Sequence, residues 1–153
     1  MGFDFRLEKV LRYRQRLVDQ QARRVALAQK RVGELTAART ELDRSVAAEM
    51  AGHPGAGPLL VKDLQAKTAW LEHLRRKIAD VDAGLNEARN ELLREQESLN
   101  AAWRDLEALQ QLRRKQKAAW IHEQETRESK ELDEVGQIRA DRARRSILAH
   151  GTE

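Results

Sequence analysis

The chain has no cysteine and only two prolines, Pro54 and Pro58, which stand together near its first third. The missing thiols exclude disulfides and thiolate zinc sites. Confining both prolines to one place leaves no helix breaker in the two long stretches on either side. Aromatic residues make up 4% of the chain, too few to fill the core of an ordinary globular domain. No apolar run approaches the roughly 18–20 residues needed to span a bilayer. Residues 1–16 carry scattered arginines and no uninterrupted apolar segment, so no secretory signal is expected and a cytoplasmic location is.

Catalytic groupings are also missing. His53, His73, His122 and His150 are far apart, and no two share a metal-binding spacing. His122-Glu123-Gln124-Glu125 has half of a metalloprotease motif but no second histidine four residues on. The glycines at 52, 55 and 57 are not followed by Lys-Ser or Lys-Thr, so they form no phosphate loop. Carboxylates abound, but on solvated helix faces nothing perturbs them toward acid–base work. The expectation is a protein without enzymatic activity, cofactor or metal.

What the chain does have is a seven-residue apolar repeat. Leu64, Leu71, Ile78, Leu85, Leu92, Leu99 and Leu106 follow one another at constant spacing. A repeat so regular marks a helix that supercoils with a partner helix, where a globular core needs a wider stripe. With 35% charged residues of interleaved sign and a net charge of +4, the rest reads as solvated helical surface. The first stretch carries the same frame, with Leu11, Val18, Val25, Val32, Arg39 and Val46 at a positions. Its d positions are Leu7, Arg14, Gln21, Ala28, Leu35 and Leu42.

Between the two stretches, Gly52-His53-Pro54-Gly55-Ala56-Gly57-Pro58 cannot continue a helix. A loop this short makes its flanking helices antiparallel neighbours. Charge agrees: residues 6–24 hold seven basic and two acidic side chains, and residues 80–107 hold eight acidic and three basic. The predicted fold is all-α, an antiparallel two-helix coiled-coil hairpin with a longer, overhanging C-terminal helix. It is a single coiled-coil domain over 1–153, with a helix over about 4–50 and a turn over 51–58. A second helix covers about 59–145, and a frayed tail 146–153.

Apolar matching favours a register that sets Leu42 against Leu64, Leu35 against Leu71, Ala28 against Ile78 and Val18 against Ala88. Arg39 then meets Lys67, and the two must turn apart. A shift of one heptad removes that clash but sets Val18 against Glu95. In the favoured register the second helix overhangs from about Asp105, and Trp120 and Ile121 have no intramolecular cover. An exposed Trp-Ile pair on an unpaired helix suggests a contact site. Trp70 and Trp103 fall at the seam edges, at g and e positions, where they either cover leucines or meet a partner. The basic run Arg113-Arg114-Lys115 suits an acidic protein surface, and the acidic residues interleaved after it argue against nucleic acid.

The two ends of the chain resemble a known family. Phe3-Asp4-Phe5-Arg6-Leu7-Glu8-Lys9-Val10-Leu11 is similar to the opening of the FliJ family, a small coiled-coil component of bacterial flagellar protein export. Arg114-Lys115-Gln116-Lys117, then Glu123-Gln124-Glu125, then Lys130-Glu131-Leu132-Asp133-Glu134, resemble that family's far end. The resemblance implies a stalk-like, chaperone-escorting protein. It would bind the export ATPase hexamer, the cytoplasmic part of the export-gate membrane protein and export chaperones. It implies a peripheral position at the inner face of the inner membrane, with no membrane insertion and no nucleic acid. The equivalent stalk protein of a virulence-type secretion system shares the architecture, and a nucleic-acid-binding helical arm is a third reading. Candidate partner-binding residues are Phe3, Phe5, Trp70, Trp103, Arg113, Arg114, Lys115, Trp120 and Ile121.

Overall fold

The computed structural model describes residues 2–52, 55, 57–58 and 60–150. They form two helices, α1 (Glu8–Ala51) and the much longer α2 (Val61–His150), and no strand among the described residues. The protein is an all-α helical hairpin with a longer second helix, as its repeat predicts.

Local chemistry sets the helix ends. α1 begins at Glu8 rather than near residue 4, because the chain first makes a turn in which Glu8 N–H donates to the Phe5 carbonyl at 2.9 Å. Glu8 then places a carboxylate in the first turn, where the helix dipole favours it. α1 stops at Gly52, whose φ of 70° is the left-handed conformation that ends helices and suits glycine. Gly55 also has positive φ, at 91°. Of the turn expected over 51–58, His53, Pro54 and Ala56 lie outside the described residues, as do 151–153 of the expected tail. At the start of α2, the Asp63 carboxylate accepts the Leu60 N–H at 3.3 Å, reaching back over the first turn as the second half of a capping box does. α2 continues beyond Arg145 through His150.

The chain divides into two compact units, one of Tyr13–Asp105 and one of Met1–Arg12 with Leu106–Glu153. In the first, burial follows the heptad frame. Val18, Val25 and Ala28 of α1 are buried, as are Leu74, Leu85 and Ala88 of α2. Every a and d position of α1 from Arg14 to Val46, polar ones included, is at least partly withdrawn from solvent.

The register is not the expected one. Leu35, expected across from Leu71, lies against Gly84, where a methyl group would stand 3.8 Å from Leu35 Cδ1. Arg39, expected across from Lys67, donates to Asp82 at 2.7 Å. The facing helix is displaced by about two heptads. The cause lies in the polar seam positions. Arg14 donates to Asp105 at 2.9 Å. The Gln21 amide donates to the Glu95 carbonyl at 3.2 Å and also reaches its carboxylate. Arg39 bridges Asp82 and Asp43. All three polar interruptions of α1 thus find an acidic partner on α2. Hydrogen bonds to Asp82 first, and then to Asp43 of its own helix, hold the Arg39 guanidinium above its ordinary pKa. Apolar layers repeat every heptad and fit several registers, whereas the polar positions satisfy one.

The second unit corrects the expected overhang. Leu106 is 2% exposed, so it lies in the core and not where the cover runs out. Leu11 and Phe5 are buried as well, and Glu8 pairs with Arg113 at 3.4 Å. Further on, the ring of Phe3 lies over that of Trp120. Partly covered positions continue to Gln124, and every residue from Glu125 to Ala149 is exposed.

Candidate functional site

Where the N-terminal segment meets α2, the second unit forms an open concavity of about 550 Å³. Gly2, Phe3, Arg113, Arg114, Lys117 and Trp120 line it. Arg113, Lys117 and Trp120 recur at spacings of four and three, which puts them on one face of α2. The turn at Arg6 and Leu7 returns the N-terminal segment toward that face, and Phe5 anchors it as a buried side chain. Phe3 and Trp120 then meet with ring centroids 6.2 Å apart and planes inclined by 52°, an aromatic contact in its favourable tilted range.

Around this floor stand three cations. Arg113 is partly neutralised by Glu8, and each keeps a substantial fraction of its side chain in water. The Arg114 Nε–H donates to the Gln110 carbonyl at 3.4 Å, which steadies the guanidinium along its own helix. Lys117 is exposed. Aromatic floor and cationic rim together set apolar ring surface beside positive charge. Guanidinium groups bind carboxylates in bidentate fashion, and aromatic and arginine side chains dominate interface energetics.

Of the residues the sequence puts forward, the structure gathers Phe3, Arg113, Arg114 and Trp120 here. Trp120 has an intramolecular partner, contrary to expectation, because the true register brings the chain's beginning to it. Phe5 is 4% exposed and presents no surface to a partner. Lys115 and Ile121 are exposed but do not line the concavity. Trp70 and Trp103 belong to the other unit, about half exposed, with Trp70 resting 5.4 Å from the ring of His73. Lys117 and Glu8 join the site only in the structure. The spacing Arg113-Lys117-Trp120 carries the signal for Lys117, whereas nothing local in the sequence points Glu8 at Arg113.

No described helix is long and apolar enough to cross a membrane. The family model described as Flagellar FliJ protein matches residues 3–145. No curated protein and no solved structure matches the chain.

Proposed function

The chain belongs to the FliJ family of flagellar proteins, and on that premise we propose that it works in flagellar protein export as a stalk-like partner of the export ATPase ring. Membership makes it a flagellar export component, and the family is a structural one rather than a family of enzymes. The proposal adds three partners: the ATPase hexamer, the cytoplasmic part of the export gate, and chaperones that the protein escorts. In this reading its place is peripheral, at the inner face of the inner membrane.

The observation that carries the ATPase contact is the concavity floored by Phe3 and Trp120 and rimmed by Arg113, Arg114 and Lys117. A single helix face has little apolar area to offer. The folded-back segment adds a second aromatic ring and holds it rigidly, so less conformational entropy is lost on binding. The cationic rim steers an acidic partner and is screened by salt.

Purified export ATPase immobilised on a resin tests the contact. The wild-type chain is retained. Arg114→Glu with Lys117→Glu, both exposed, lowers retention about tenfold at unchanged helicity. Equal retention of wild type and variant removes the concavity from the interface, and a deletion strain with normal flagella refutes the export role.

A further inference from the structure

From Glu125 to Ala149 every residue of α2 is exposed, and yet the sequence there is not that of an indifferent solvated helix. Along the three–four spacing of a coiled-coil seam, one face reads Glu125, Glu128, Leu132, Val135, Arg139, Arg142. Its order is acid, acid, apolar, apolar, base, base. Leu132 is 72% exposed, Val135 45%, and the flanking Ile138 53%, large aliphatic side chains that an isolated helix leaves in water. A shallow groove of about 370 Å³ runs along Glu128, Glu131, Leu132 and Val135.

Reversed end to end, this face is its own complement. We propose that the segment Glu125–Arg142 is a self-association surface through which two copies of the chain pair antiparallel about a two-fold axis. The axis passes between Leu132 and Val135. Leu132 of each copy then faces the second copy's Val135, Glu128 faces its Arg139, and Glu125 faces its Arg142. Each contact occurs twice, as an isologous interface requires. A parallel pair instead stacks acid on acid and base on base, and like charges in contact are unfavourable. Charge complementarity therefore selects both the occupant and its direction. With few aliphatic side chains per copy and ion pairs open to solvent, the association is weak, reversible and salt-sensitive. It is independent of the export ATPase reading, since it involves the purified chain alone.

Sedimentation of the full chain at low and high salt reads the association, and disulfide trapping reads its geometry, helped by a chain without native cysteine. Chains carrying Glu128→Cys mixed with chains carrying Arg139→Cys form a disulfide-linked pair. Glu128→Cys chains alone do not, because in the antiparallel pair their Cα atoms stand roughly 16 Å apart along the axis, beyond the roughly 7 Å a disulfide spans. Glu128→Arg disturbs two symmetric ion pairs and weakens dimerisation about tenfold, and adding Arg139→Glu in the same chain restores it. These positions lie where α2 contacts nothing else, so circular dichroism of the variants matches wild type. A chain that stays monomeric at low salt and high concentration overturns the proposal. So does self-trapping of Glu128→Cys, or failure of the charge swap to rescue.

Discussion

Phe3 covers Trp120: the two rings lie 6.2 Å apart at the place where the first residues of the chain meet the last covered part of α2. A tryptophan that the sequence alone leaves bare is thereby half-buried. In a chain whose Trp70 and Trp103 are replaced by Phe, Phe3→Ala shifts Trp120 emission to the red. It costs about 0.5–1.5 kcal/mol, the usual worth of an aromatic pair. Phe5→Ala empties a buried site and costs more, about 3–5 kcal/mol, seen as early loss of the N-terminal turn on heating. An unshifted spectrum for Phe3→Ala means the rings do not meet in solution.

Arg39 joins α1 to α2 through Asp82 while also holding Asp43 on its own helix. The side chains are 29% and 48% exposed, so screening by water keeps the pair weak. A double-mutant cycle with Arg39→Met and Asp82→Asn gives a small favourable coupling that shrinks in high salt. Its larger effect is on register, because no neighbouring heptad offers the guanidinium an acid in the same place.

Gln21 and Glu95 form a polar layer within the seam. Gln21→Leu alone leaves Glu95 half-buried without its amide partner and lowers the melting temperature, by about 1–3 kcal/mol in stability. Replacing both by leucine raises the melting temperature above wild type and makes the seam more uniform, which relaxes the choice of register. Thermal unfolding followed by circular dichroism separates the three proteins.

Gly84 lies inside a helix with Leu35 over it, and an added methyl group stands at ordinary contact distance. Gly84→Ala therefore stabilises the protein by about 1 kcal/mol, combining helix propensity with a filled contact. A destabilised variant means the helices approach more closely here than the geometry shows.

Hydrogen exchange reports where cover ends. In dilute protein at high salt, amides from Glu125 to Ala149 exchange much faster than those between Leu71 and Leu106. Uniform protection along α2 refutes an uncovered segment. A lone helix of this kind, helped by pairs such as Arg127 with Glu123, is marginal in water.

Much of this architecture is legible from spacing. The antiparallel pairing and the seam positions of α2 from Leu71 to Leu109 follow from periodicity and the absence of breakers, whereas Leu64, expected against Leu42, is 55% exposed. The register does not follow, because Leu, Ile and Val at a constant interval pack comparably after a slide of one or two heptads. Arg14, Gln21 and Arg39 held the answer. Read as flaws in the stripe, they permit the wrong pairing of Arg39 with Lys67; read as demands for acidic partners, they point to Asp105, Glu95 and Asp82. The exposure assigned to Trp120 was a consequence of that one slide. The turn by which Phe5 is buried leaves no periodic trace, since residues 2–7 are not helical.

The three polar ties between α1 and α2 also constrain how this gene can change length. Deleting one residue between Arg14 and Arg39 rotates everything beyond it by roughly 100° around the helix axis and turns the seam outward. Between those ties the two helices tolerate indels only in whole heptads, and only if both lose or gain them together. Beyond Arg142, α2 is bound by neither those ties nor the proposed pairing, so natural length variation in such chains should collect there.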